Sequence, residues 1–509
     1  MKKLIITAGL LFAINFMSAQ EITPSDAVLF GTKQLNGTAR FNAMGGSFGA
    51  LGGDVSGIQI NPAGSALSNY NTASFTGSYR WFKNDATFLG SKSSDKDGDL
   101  QATNAGGIFV FDNTSAKNAL KKVTFGVVIG TDAVYDNSQY MSGLNNQSIG
   151  NYFLGHANTG FNGQAVPTDL VKIQQGETIT DLYAYLNSVA NGFSAQQAML
   201  GYQSYILNEN GSNGYVSNVA PGTYNQSASV ITSGYNGKLT ANAGFDFNDR
   251  FYLGANINYH YLDFLKNASV YERNTSNAIE NGVTEILFNN NTYTYGSGFS
   301  FNIGGLVNIT NELRAGLSYE SPTWYRVNDE FQQNVSTNYR VNSLQSTANV
   351  YPDVVTIYEK YTIKTPASFT GSLSYVFGKS ALINIDYTRK DYSKTEYKGG
   401  GFDNLNTFYN DQLKASNEIR VGGEYRIQRV SLRAGYRFVE SPYKDTSIVG
   451  DINSISGGLG YSFGTARLDL GYTFTHQPMQ SQLITSGLSD NAQIKTKLNN
   501  ISLTYTVHF

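Results

Sequence analysis

From Tyr70 to the C-terminus, apolar and polar residues alternate with a period of two, and this pattern constrains the fold more than any other feature. In the last segment Ile501, Leu503, Tyr505, Val507 and Phe509 alternate with Ser502, Thr504, Thr506 and His508. Earlier, Leu468, Leu470, Tyr472 and Phe474 alternate with Arg467, Asp469, Gly471 and Thr473. Such a period is a strand with one apolar face. The other face is small, polar or charged, and the segments outrun the ~5–6 residues of an ordinary globular strand.

Strands are expected near 70–82, 100–112, 121–135, 226–247, 250–266, 292–309, 311–326, 359–377, 380–396, 415–427, 429–440, 452–463, 465–477 and 494–509. An even count is the rule for bacterial single-chain barrels. Tight turns are expected at Asn248–Arg250, Thr310–Glu312, Gly378–Ser380, Gln428–Arg429 and Gly464–Thr465. Long links are expected at 83–99, 136–225, 267–291, 327–358, 397–414, 441–451 and 478–493. Short turns on one side and long loops on the other are the pattern of an outer-membrane barrel. The fold class is therefore all-β: a transmembrane antiparallel β-barrel of about 14 strands, with both chain ends on the short-turn, periplasmic side.

Composition narrows the function. With 36 Lys+Arg against 38 Asp+Glu, the net charge of −2 argues against a nucleic-acid partner. The absence of Cys (0) removes disulfide scaffolds and thiolate metal sites, and only 4 scattered His argue against a multi-His centre; no cofactor or metal is expected. An aromatic content of 13% argues against disorder. Residues 1–19 read as a signal peptide: Lys2 and Lys3, an apolar run Leu4–Phe16, then Ala19 before the cut. No Cys follows it to carry a lipid anchor, and no later stretch has the ~18–20 apolar residues of a membrane helix.

Residues 20–69 do not alternate. They contain Gly45-Gly46, Gly52-Gly53-Asp54 and Asn61-Pro62-Ala63-Gly64. Spacing of Gly46, Gly49 and Gly52 could suggest a phosphate loop, but that needs a preceding strand and a following helix, and neither is evident. The segment reads as a compact, glycine-rich plug, with residues 70–509 as the barrel. Together with Gly37-Thr38-Ala39-Arg40 and Met44, these motifs resemble the N-terminal hatch of the FadL/TodX-type outer-membrane transporters, most closely the versions from Bacteroidetes bacteria. The resemblance implies a fourteen-stranded plugged barrel that passively carries long-chain fatty acids or other hydrophobic small molecules through the outer membrane of a Gram-negative bacterium. It also implies a lone monomer among outer-membrane lipid, and a terminal Phe509 recognised by the barrel assembly machinery. No energy-coupling box is evident near residues 20–30.

Three groups of residues are candidates for handling cargo. In the 136–225 loop, Thr178 and Asp181 fit a capping box, and Leu182, Tyr185, Leu186, Val189 and Phe193 follow as one helical stripe. Ser194–Gln197 would cap a second helix bearing Met199, Tyr202, Tyr205 and Ile206. Two such helices would make a greasy capture groove, or else pack on each other and close the barrel's top. Family members with a lateral exit have an inward kink in the third strand; here Gly126 and Gly130 are the candidates.

Inside the barrel, Arg420, Glu424 and Arg426 face the lumen on one strand, with Arg433 and Arg437 on the next. A two-residue turn at Gln428-Arg429 sets Glu424 opposite Arg433 and Arg420 opposite Arg437. The second pair is unfavourable unless an anion sits between: Asp386, or a fatty-acid carboxylate. Haem capture through His156 or His260 and a cargo-free structural or adhesive barrel are the alternatives. An enzyme is disfavoured, because no nucleophile motif stands beside His156, His260, His476 or His508.

Overall fold

The computed structural model describes residues 24–113, 119–211, 214–399 and 401–509. The expected signal peptide lies outside them. Fourteen antiparallel strands form one wall: β1 (Thr72–Phe88), β2 (Ser91–Asp112), β3 (Leu120–Val134 continued by Asn137–Asn145), β4 (Tyr224–Phe247), β5 (Phe251–Asn274), β6 (Gly282–Asn308) and β7 (Leu313–Glu320 continued by Trp324–Val341). After these come β8 (the pieces Leu344–Val350, Thr356–Ile357, Tyr361–Lys364 and Ser368–Phe377), β9 (Ala381–Asp391 continued by Glu396–Lys398), β10 (Ala415–Ile427), β11 (Val430–Val439), β12 (Ile452–Ser462), β13 (Ala466–Gln482) and β14 (Asn491–His508). Each strand pairs with its chain neighbours, and β14 closes on β1 from Thr72↔His508 to Thr87↔Gln493. Closure pairs the first strand with the last, the requirement for a wall in lipid, and one stretch between β2 and β3 lacks a ladder among the described residues.

The predicted tight turns are all present. Four of the predicted long links are shorter than expected, because strands run on past the membrane. Residues 83–99 form a hairpin that turns at Leu89-Gly90, and 327–358 contains a second hairpin turning at Asn342-Ser343. The 267–291 and 478–493 links shrink to 275–281 and 483–490. On these extensions the outer face is polar, since it no longer meets lipid, and apolar residues such as Phe82, Phe88, Val270, Phe288 and Val335 face inward, so the apolar-out alternation does not mark them. The strands β4, β5 and β6 reach 24, 24 and 27 residues, against the ~9–11 that span a bilayer.

Across the membrane band apolar side chains point out and polar ones in. On β5, Leu253, Ile257 and Tyr259 are exposed while Asn256, Asn258 and His260 are buried. Beyond Tyr261 the sense reverses without a change of phase: Leu262 and Phe264 point in and Asp263 points out. The same reversal occurs on β1 after Trp81 and on β7 after Trp324, which fixes the level of the membrane boundary at the long-loop end.

Inside the wall lies the N-terminal segment. Helix α1 (Pro24–Gly31) sits high in the lumen, α2 (Ala39–Ala43) low, and two short 3-10 turns (Gly57–Gln59, Pro62–Leu67) complete a buried body. The described chain thus begins inside the barrel, while the wall itself begins and ends on the short-turn side. Over the long-loop end, α3 (Gly150–Thr159), α4 (Ile179–Leu186) and α5 (Gly192–Gln203) form a cap; α6 (Asp403–Gln412) covers the chamber beside it. No helix among the described residues is long and apolar enough to cross a membrane.

An ion cluster ties the plug to the wall. Arg40 meets Glu424 at 2.9 Å, Glu424 also takes Arg433 and Arg426 at 2.6 Å each, and Arg433 and Arg467 share Asp469 at 2.8 and 2.7 Å. Glu424→Gln leaves the buried Arg40 with no carboxylate ion pair among the described residues and Arg433 with Asp469 alone, and breaking such a buried cluster costs about 3–5 kcal/mol. The expected result is a lowered unfolding temperature with residues 38–67 newly open to protease, while the wall keeps its heat-dependent mobility on gels.

Candidate functional site

The hatch motif builds a rigid body. Gly45, Gly46, Gly52 and Gly53 all have left-handed backbone (φ 64, 73, 65 and 67°), which side-chain-bearing residues adopt at a cost. Asp54 accepts hydrogen bonds from the Thr38 hydroxyl at 2.8 Å and from the Ser56 N–H at 2.9 Å. Asn61 caps the last 3-10 turn by accepting from Ala63 N–H at 3.1 Å, and its amide donates to the Gly49 carbonyl at 2.8 Å. Pro62 occupies the first helical position, and its carbonyl accepts from Asn242 on β4 at 3.0 Å. Gly64 packs flat on Gly52. The wall approaches closely through its own glycines: a Cβ on Gly435 would lie 2.3 Å from Gly45 N.

Asp386 belongs to this anchoring. It accepts from the backbone N–H groups of Phe48 and Gly49 at 2.9 and 3.2 Å, and stands 3.9 Å from Arg420. The predicted register holds: Arg420↔Arg437 and Glu424↔Arg433 are paired. The anion between the two arginines is Glu418, a residue the sequence reading passed over although it shares their face; it lies 3.6 Å from Arg420 and 2.7 Å from Arg437.

Above the plug body the lumen holds a cavity of about 100 Å³. Its charged lining is Lys33, Lys238, Lys390, Arg420 and Arg437 against Asp132, Glu320 and Glu418, five cations to three anions. Lys33 pairs with Glu320, and Lys238 with Asp132 at 2.8 Å. Lys390 donates to the Gly31 carbonyl at 2.6 Å and lies over the Tyr392 ring at 5.4 Å, with no carboxylate ion pair among the described residues.

Bordering this cavity at Tyr392, which belongs to both, is an apolar cluster inside the wall, a chamber filled by α1. Tyr135, Leu262, Phe264, Tyr325, Tyr361 and Tyr397 are among its walls, and α1 fills it with Val28 and Phe30. The Phe30 ring lies 5.5 Å from Phe264 and 6.0 Å from Tyr135. Nothing in the sequence pattern before residue 38 pointed to this helix as a chamber occupant.

The third strand is broken, but not where expected. Gly126 and Gly130 lie in regular ladder, paired with Ile108 and Asn104 and facing the plug. The break follows them: the β2 ladder ends at Asn104↔Gly130, the β4 register slips between Thr131 and Ala133, and β3 stops at Val134 before resuming at Asn137. Four consecutive buried residues, Asp132 to Tyr135, mark the lost alternation. Beyond this point β2 and β3 share no backbone ladder. Gln34 of the N-terminal segment fills the gap. Its N–H donates to the Asp132 carbonyl at 2.8 Å, its amide to the Val134 carbonyl at 2.9 Å, and its amide oxygen accepts from Val134 N–H at 3.1 Å and Arg80 at 2.8 Å.

The cap corrects the capture groove. The Thr178–Asp181 capping box is present, but α4 ends at Leu186 and the chain turns before α5, so Val189 and Phe193 are not on its stripe. The second helix starts at Gly192 after Asn191 in left-handed backbone, ahead of the Ser194 cap expected. Leu182, Leu186, Met199 and Ile206 are at most 3% exposed and form the cap's own core, with Val189 and Tyr202 packed against it; Tyr185 alone of the stripe is exposed. Helices on a wet surface bury their apolar faces on each other first.

The two His residues considered for haem are each engaged through a ring nitrogen. His156, between the Tyr152 and Phe193 rings at 4.7 and 5.6 Å, is held by burial at a pKa of about 4, and its Nδ1 bonds Ser194 at 3.2 Å. His260 is buried, with Nε2 on Ser300 at 2.8 Å and Nδ1 3.5 Å from the Tyr325 hydroxyl.

A closed, plugged wall of fourteen strands with a dry outer band and a polar lumen defines a channel of the bacterial outer-membrane type. A family model described as outer membrane protein transport protein (OMPP1/FadL/TodX) matches residues 87–509. The chain belongs to that family, whose members are outer-membrane transporters of hydrophobic compounds and not enzymes. No curated protein matches. Among solved structures, a FadL homologue from Pseudomonas aeruginosa is similar at 13% identity and a TM-score of 0.55, over 94% of this chain and 100% of that one. The toluene transporter TodX from P. putida is similar at 12% identity and a TM-score of 0.51, over 94% and 99%. At these identities the likeness shows the fold alone.

Gln34→Ala removes two hydrogen bonds to the broken strand, at Val134, and one from Arg80 on β1, each worth about 0.5–1.5 kcal/mol. Amide exchange at Val134 should rise about tenfold or more, with Val128 in the intact ladder unchanged. Met199→Ala should destabilise the cap by about 2–5 kcal/mol, read as earlier proteolysis of 150–206 in otherwise folded protein.

Proposed function

We propose that the protein admits hydrophobic small molecules with an anionic head, long-chain fatty acids fitting best, by energy-independent passage through the lumen. One observation carries this reading: an apolar chamber, filled by α1, that borders a cavity lined by five cations and three anions. An amphiphile would place its tail among the tyrosines and its carboxylate beside Lys390 and Arg437, where guanidinium and ammonium donors match it. That position is now held by Val28 and Phe30, so cargo and α1 compete for one space. Withdrawal of the segment from Pro24 to Asn36 would empty the chamber and also remove Gln34 from the split between β2 and β3. Cargo would then leave sideways into the bilayer. The body from Thr38 to Leu67, bonded to many strands, would stay. The short turns face the periplasm in this reading, and the exposed Phe509 remains available to the assembly machinery.

A neutral aromatic such as toluene would use the chamber alone, and the ring-lined walls favour that second reading. The two separate by charge. Lys390→Gln/Arg437→Gln should weaken binding of a long-chain fatty acid by about tenfold or more, measured by titration into protein in mild detergent. Toluene binding should be unchanged. Equal affinity of wild type and variant for the fatty acid would remove the carboxylate assignment.

A further inference from the structure

We infer that the outer surface carries a binding site for a phosphorylated glycolipid of the outer leaflet, the lipid A portion of lipopolysaccharide. The site rests on the orientation given above, with the long-loop end outward. It is otherwise independent of the cargo.

Three lysines and a histidine stand in one row, in register. His476 is paired with Lys497, Lys497 with Lys83, and Lys83 with Lys96, across β13, β14, β1 and β2. Directly opposed residues share a face, and this is the outward face, that of Trp81 and Tyr79 two and four residues earlier. Neighbouring strands lie about 4.8 Å apart, and like charges directly opposite destabilise a sheet. One step further out, Lys495 faces Asp85. Asp85 reaches Lys83 at 2.8 Å and Lys497 at 3.0 Å. The two rows thus hold four lysines and a single carboxylate. Lys96 and Lys495 are exposed and make no ion pair among the described residues.

The depth selects the partner. Immediately toward the membrane, Tyr79 stacks on Trp81 at 5.6 Å and Trp81 lies 6.4 Å from Tyr472, an aromatic belt of the kind that sits at a membrane interface. Below it Phe75, Ile501, Leu503 and Leu470 are exposed to acyl chains. A lipid here meets cations at the height of its headgroup phosphates, where ammonium groups attract them. The arrangement recurs at the chain's other Trp, the second of 2. Trp324 is paired with Lys364 and Lys364 with Glu396, and the row beyond runs Arg326, Thr362, Lys398; Glu396 lies 3.4 Å from Lys364 and 3.7 Å from Lys398. Both tryptophans therefore carry surplus cations on their outward side.

The test is native mass spectrometry of the full chain in mild detergent, titrated with bis-phosphorylated lipid A, its dephosphorylated form and phosphatidylglycerol. Wild type should prefer phosphorylated lipid A over both by about tenfold, and K83Q/K96Q/K497Q should lose that preference. A control variant of the short-turn lysines, K121Q/K379Q, should keep it. If the triple variant fails its heat-mobility test for folding, K96Q alone should lower the preference about threefold. Equal binding of the two lipid A forms, an equal response to phosphatidylglycerol, or full retention in the folded triple variant would overturn the assignment. Orientation is read separately: Gly90→Cys at the hairpin tip should react with an impermeant maleimide on intact cells.

Discussion

An irregular backbone inside a membrane wall must find a partner for every polar group it exposes, and the rest of this structure follows from that demand. Residues 38–67 have no regular ladder of their own. The wall supplies the missing partners: Asn256 donates to the Ile58 carbonyl, Ser318 to Ile60, Arg314 to Leu51 and Lys122 to Ser68. Asp386 takes two plug N–H groups and Thr504 takes the Ala39 N–H. The inward faces are therefore rich in Asn, Ser, Thr and Gly because the plug is there, and Gly45/Gly46 and Gly52/Gly53 are paired because its turns need left-handed backbone.

A second demand acts higher up. Past the level of Trp81 and Trp324 the outer face meets water and headgroups, so the apolar side chains of the same strands turn their role inward. That inversion creates a dry chamber bordering a charged cavity inside one wall. The chain fills it with its own α1, and the adjoining Gln34 closes the one stretch of wall that lacks a ladder. A single segment thus touches both the apolar chamber and the stretch of wall without a ladder, and the proposed passage of cargo rests on that double contact.

Much of this was legible in the sequence, for physical reasons. The membrane forces strict alternation, so the fourteen strands and the five tight turns could be read, and phase alone gave the Arg420↔Arg437 and Glu424↔Arg433 pairings. Outside the membrane that force vanishes, so the Lys83–Gly98 and Gln332–Val350 hairpins looked like loops. The stripe from Leu182 to Phe193 has helical spacing whether it faces a ligand or a neighbour, and only packing shows that it faces a neighbour. The strand break at Thr131–Asp136 carries no glycine signature; it shows in the polar and apolar residues that are buried in succession there. Helix α1 is too short, and too similar to a loop, for its partners to be read from spacing.

The central claim is that the segment from Pro24 to Asn36 leaves the lumen while the plug body stays. The chain has 0 Cys, so two introduced cysteines have only each other. A Cβ placed on Gly31 would lie 3.7 Å from the Thr365 Cβ, close to disulfide geometry, so Gly31→Cys/Thr365→Cys tethers the segment to β8. The Ser65 and Thr124 hydroxyls are 2.9 Å apart, so Ser65→Cys/Thr124→Cys tethers the body. Fatty-acid uptake by cells carrying each pair should be abolished in the first when oxidised and restored by reductant, and unaffected in the second. Undiminished uptake with the first tether closed would contradict the account.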